Sequence, residues 1–70
     1  MKSNDAATRL SSAYEDMESG RYEQARHVFE ELANAGEPKA NLYLAWMDEQ
    51  GLGRKADVNA AIARYKVLPD

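Results

Sequence analysis

The chain contains no cysteine. Disulfides, thiolate-bound zinc and thiol nucleophiles are thereby excluded, and a reducing compartment, the cytoplasm, is the expected setting. Histidine is nearly absent too, with one residue in the chain, so a zinc site built on several imidazoles is excluded. No apolar run reaches signal-peptide length, and none approaches the about 20 residues that cross a bilayer, so no membrane association is expected. Basic residues do not predominate: nine Lys and Arg stand against twelve Asp and Glu, a formal charge of -3. A phosphate-backbone binder needs a basic stripe, so nucleic acid is not an expected partner.

Glycine and proline are sparse and widely spaced: Gly20, then Gly36 with Pro38, then Gly51 and Gly53, then Pro69. Between these breaks lie four stretches of helical length. The first, Asn4 to Ser19, sets Ala6, Leu10, Ala13, Tyr14 and Met17 three and four apart, the one-faced pattern of a surface helix. The second, Arg21 to Ala35, carries Tyr22, Ala25, Val28, Phe29, Leu32 and Ala33 on one stripe and closes at Gly36. Pro38 fits the first turn of a third helix, whose Ala40, Tyr43, Leu44 and Met47 share a face. Leu42 and Trp46 form an i, i+4 pair on a different side, and a helix apolar on two sides is sandwiched or lies at an interface. Asp57 is the expected cap of a fourth helix bearing Val58, Ala61, Ile62 and Tyr65, which Pro69 ends. No stretch alternates as a strand does.

Self-similarity organises these four helices. Ala25 and Ala61, Phe29 and Tyr65, Tyr22 and Val58, and Leu32 and Leu68 are each 36 positions apart. Ala6 and Ala40, and Leu10 and Leu44, are 34 apart, which puts two extra residues in the turn from Gly51 to Ala56. The expectation is an all-α chain, a short alpha-alpha superhelix of two antiparallel helix-turn-helix repeats. Repeat one covers about 4–36 and repeat two about 37–68 of a single domain.

The stretch Ala40 to Tyr65 resembles a Sel-one-like repeat: Leu44-Ala45 stands at the Leu-Gly pair, Gly51 and Gly53 at the G-x-G turn, then Asp57, and Ala61 with Tyr65 at the A-x-x-x-Y ending. Gly20, Tyr22, Ala25 and Phe29 are similar to the G-x-Y-x-x-A-x-x-x-F core of a tetratricopeptide repeat, and Ala33 with Gly36 resembles the A-x-x-G ending. Two departures stand out, Asp48 at a position usually aromatic and Arg54 at one that is often small and apolar. The resemblance implies an adaptor or scaffold that presents a groove to another protein, with no enzymatic activity and no cofactor.

Two such repeats are fewer than the about three needed to bury a continuous core. Either the chain is a piece of a longer solenoid or its last repeat packs against a second copy; the opening methionine and the stop soon after Pro69 with no polar closing helix favour the homodimer as the expectation, with Trp46, Leu42, Tyr43, Ile62 and Tyr65 as its contacts.

Candidate chemistry is thin. His27 has Glu23 and Glu31 one turn to either side, a spacing open to a metal or to acid-base work. Ordinary helix-stabilising pairs outweigh that reading. The turn Gly51-Leu52-Gly53-Arg54-Lys55 lacks the spacing and the preceding strand of a phosphate loop and reads as an interhelical turn. Glu15, Asp16 and Glu18 near the end of helix one are echoed by Asp48 and Glu49 near the end of helix three. Carboxylates there oppose the helix dipole, so a basic partner would be a reason to keep them, against the plainer reading of a solvated face. The expected docking surface is therefore on helices one and three: Tyr14, Glu15, Leu42, Tyr43, Trp46, Asp48 and Glu49. A rival expectation is a small inhibitor or immunity-type protein whose acidic surface blocks a basic site on its target.

Overall fold

The computed structural model describes residues 5–66. Among them the chain forms four helices and no strand: α1 (Ala6–Glu18), α2 (Tyr22–Asn34), α3 (Pro38–Gln50) and α4 (Val58–Lys66). Each helix packs on the next, α1 on α2, α2 on α3 and α3 on α4, so the hairpins stack as a short superhelix. No helix is long and apolar enough to cross a membrane among the described residues.

Local chemistry places the ends. Asp5 opens α1 by accepting from Thr8 N at 2.8 Å, and the expected cap Asp57 opens α4 by accepting from Ala60 N at 3.0 Å. Pro38 sits in the first turn of α3, as its missing amide hydrogen dictates. The ends of α1, α2 and α3 share one closure, a backbone amide reaching back five residues: Arg21 to Asp16, Glu37 to Leu32 and Leu52 to Met47, at 2.8, 2.9 and 2.9 Å. At the last of these Gly51 is left-handed, with φ 74°, and a Cβ there would lie 3.1 Å from Ala56 N. Gly53 is needed for a second reason: its Cα passes so near the start of α2 that a Cβ would meet Tyr22 Cβ at 3.1 Å. The glycine turn is thus a seat for the α3–α4 loop on α2. Asn4, Leu68 and Pro69, named above for the start of helix one, a repeat match and the end of helix four, lie outside the described residues.

The core cluster joins Ala13 and Met17 of α1, Ala25, Phe29 and Leu32 of α2, and Ala40, Leu44 and Met47 of α3. Alanines where helices cross let the backbones approach, and Phe29, Leu44 and Met47 fill the space between. α4 buries Ala61 but adds nothing to this cluster.

What ties α4 in place is polar. Asp48 on α3 is 2 % exposed and accepts from Arg26 Nη1 on α2 at 2.8 Å and from Arg64 Nε on α4 at 3.2 Å. Arg26 Nη2 also donates to the Leu52 carbonyl at 3.1 Å, and Arg64 Nη1 to Asn41 Oδ1 at 3.1 Å. One buried carboxylate therefore bridges three helices and a turn. Asp48→Ala strands two guanidinium groups and should cost about 3–5 kcal/mol, a large part of what so small a domain has. Denaturant unfolding checks this: a loss below about 1 kcal/mol would show that the clamp contributes little beyond an exposed pair.

Candidate functional site

An open groove of about 390 Å³ runs across α1, α3 and α4. Tyr14, Met17 and Glu18 line it from α1, Leu42, Tyr43 and Trp46 from α3, and Tyr65 from α4. Helical spacing explains the convergence: Tyr14 and Met17 are three apart on α1, and Leu42 and Trp46 four apart on α3, so each pair forms one ridge. Tyr14, Leu42, Trp46 and Tyr65 are 41, 43, 42 and 38 % exposed, which is high for side chains this large and apolar. Tyr43 anchors the floor. Its ring lies 5.5 Å from that of Tyr14 and 5.2 Å from that of buried Phe29, a tilted series that connects the groove to the core.

The rim is acidic. Glu18 is the last residue of α1 and lines the groove directly. First as a hydrogen-bond acceptor and then as a negative charge, it raises the Tyr14 phenol above its ordinary value of 10.0. Glu49 accepts from the Tyr65 hydroxyl at 2.9 Å, and this bond, followed by burial, raises the Tyr65 phenol as well. Glu15 is exposed in the adjoining recess between Tyr14, Tyr43 and Lys39.

The structure thus brings together six of the seven residues expected to meet a partner and removes the seventh. Tyr14, Leu42, Tyr43 and Trp46 line the groove, with Glu49 at its edge and Glu15 beside it. Asp48 is corrected: it is buried in the clamp with Arg26 and Arg64 and presents nothing to a partner. Of the acidic residues on α1, Asp16 is engaged by Arg21 across the α1–α2 turn at 3.0 Å. Sequence reasoning grouped Tyr65 with Leu42, Tyr43 and Trp46 as dimer contacts but left it out of the docking surface, and it passed over Arg26 and Arg64 as partners of Asp48 and Asn41 as a partner of Arg64. Arg26 carried a signal: four residues after Tyr22 and three before Phe29, it falls on the apolar stripe of α2, where a charge needs a buried counter-charge.

The other candidate chemistry resolves into surface pairing. His27 Nε2 lies 3.3 Å from Glu31, on an exposed face. Arg9 also binds Glu31 and, mainly by hydrogen bonding, holds its carboxyl below the ordinary value. Among the described residues no group of three or more His, Asp or Glu side chains is placed to hold a metal ion. Arg54, in the glycine turn, lies 3.5 Å from Glu30. Comparison with protein-family models, curated proteins and solved structures gives no match.

The acidic rim is open to a direct reading. A phenol whose folded value is raised stays protonated to higher pH than in the unfolded chain. The stability it adds is complete below about pH 10 and fades as pH rises beyond that. Glu18→Ala, which removes both the acceptor and the charge, should therefore move part of the latest phenolate absorbance of the folded chain to lower pH, and an unaltered titration curve would show that Glu18 does not act on Tyr14.

Proposed function

We propose that this chain is a protein-interaction module of the helical-repeat kind, similar to Sel-one-like and tetratricopeptide repeats. It works in the cytoplasm as a non-enzymatic adaptor or scaffold and docks a partner protein on α1 and α3. One observation carries this reading: four large apolar side chains, Tyr14, Leu42, Trp46 and Tyr65, each stay about two-fifths exposed around a single groove. A small domain with little core to spare exposes such side chains at a cost, and contiguous exposure of this kind marks interaction surfaces. Trp and Tyr are also the residues on which binding energy concentrates.

The test is a paired capture. Leu42→Ala with Trp46→Ala removes the α3 ridge without touching the core cluster or the clamp. Proteins retained by the parent chain should bind the variant at least about tenfold more weakly, the kcal/mol scale of anchor residues. Equal retention by both chains, with helix content unchanged, rules the groove out as the docking site.

A second reading, self-association, is favoured by the open face of α4. Ile62 stands 36 positions after Arg26 and Tyr65 36 after Phe29. Arg26 and Phe29 are 4 and 0 % exposed beneath α3, whereas Ile62 and Tyr65 are 45 and 38 % exposed, with Val58 at 58 %. The face that α3 covers on α2 is thus open on α4, and a second copy of the chain would cover it. Sedimentation should then give a dimer that Ile62→Glu with Val58→Glu converts to monomer; a parent chain of single-chain mass at high concentration removes the idea.

A further inference from the structure

We infer that the groove receives an amphipathic helical segment of a partner protein whose apolar stripe is bordered by lysine or arginine. The inference rests on the docking reading above and adds what the occupant must be.

The shape of the groove decides the helix. Its walls are side chains on helices, and among the described residues there is no strand whose edge offers unpaired amides and carbonyls. An entering segment finds no backbone ladder to join, which favours a helix, since a helix satisfies its own peptide groups while its side chains fill the groove. Leu42 and Trp46, one turn apart, match the one-turn spacing of anchors on such a helix.

The charges decide the flanks. The arginines of the described residues are engaged by carboxylates away from the groove: Arg9 by Glu31, Arg21 by Asp16, Arg54 by Glu30, and Arg26 and Arg64 by Asp48. No lysine or arginine lines the groove itself. Glu18 lines it and Glu49 is fixed at its edge by Tyr65, and neither pairs with Lys or Arg among the described residues; Glu15 lies in the next recess, which Lys39 shares. A second observation points the same way. Glu18 and Glu49 sit in the last turns of α1 and α3, where the helix dipole is already negative, and neither last turn holds a basic residue. That placement opposes the fold of the free chain and favours a cation arriving from outside. A second copy would bring Glu18 and Glu49 toward their own counterparts, an unfavourable meeting of like charges.

Selection from a library of random peptides about 15 residues long, about four helical turns, tests this on the full chain. The variant with Leu42→Ala and Trp46→Ala serves as the counter-selection. The expected survivors carry apolar residues three and four apart with an excess of Lys and Arg. They shift the emission of Trp46, the chain's one tryptophan. Their affinity should fall about tenfold or more with Glu18→Gln and Glu49→Gln together, and again as salt shortens the screening length. Glutamine at 49 keeps an acceptor for Tyr65, so that loss reads charge. Groove-dependent peptides without basic excess, or with affinity indifferent to the two glutamines, overturn the charge assignment while docking stands. If no peptide distinguishes parent from counter-selection variant, docking itself falls. A dimer abolished by the same two alanines means that a second copy fills the groove, and it overturns the inference.

Discussion

The last helix, α4, is tied to the rest of the stack through one carboxylate. The apolar cluster ends at α3, and α4 brings to the interface a single buried alanine, Ala61. Asp48 supplies the rest by gripping Arg26 behind it and Arg64 ahead of it at 2.8 and 3.2 Å. A buried ion pair is a poor source of net stability, because desolvating the charges cancels most of their attraction. It is a strict source of geometry. Arg26 reaches both Asp48 and the Leu52 carbonyl, and Arg64 both Asp48 and Asn41, so the α3–α4 angle and the path of the glycine turn are set together.

That arrangement frees α3 to be apolar on two sides. Ala40, Leu44, Met47 and Asp48 are buried, while Leu42 and Trp46 face the groove with two-fifths of their surface exposed. In a large protein an exposed ridge of this size would be a small fraction of the total. In 70 residues it is surface withheld from an already limited core. Anything that binds the native groove and not the unfolded chain therefore adds stability by mass action, and docking and folding become linked.

Much of the architecture was legible because it rests on local rules. Glycines, Pro38 and the Asp57 cap marked the ends of α1, α2 and α3 and the start of α4 to within a residue or two, and periodicity chose the buried faces. Positions 36 apart share their burial where their neighbours are alike, as at Ala25 and Ala61, 0 and 1 % exposed. It misled where they are not: Phe29 and Tyr65 share an offset, yet only Phe29 has a helix laid over it. Asp48 was misplaced for a related reason. Its local pattern, a carboxylate in the last turn of a helix, is the pattern of Glu49 and Glu18. Only the approach of Arg26, 22 positions away, distinguishes it, and that approach is a property of packing.

Asp48 and Glu49 show how much a turn of about 100° per residue can separate. Asp48 points into the stack and binds Arg64; its neighbour points toward the groove and accepts from Tyr65. Both contacts end on α4, one turn of helix bound twice by the last turn of α3. The inner bond is part-buried, its carboxylate almost wholly so, and keeps α4 at its angle, and the outer bond is exposed and orients a phenol. Whatever loosens the inner bond carries Tyr65 away from Trp46 and undoes the edge of the groove. The edge of the groove is therefore specified from behind, by a charge that does not line it.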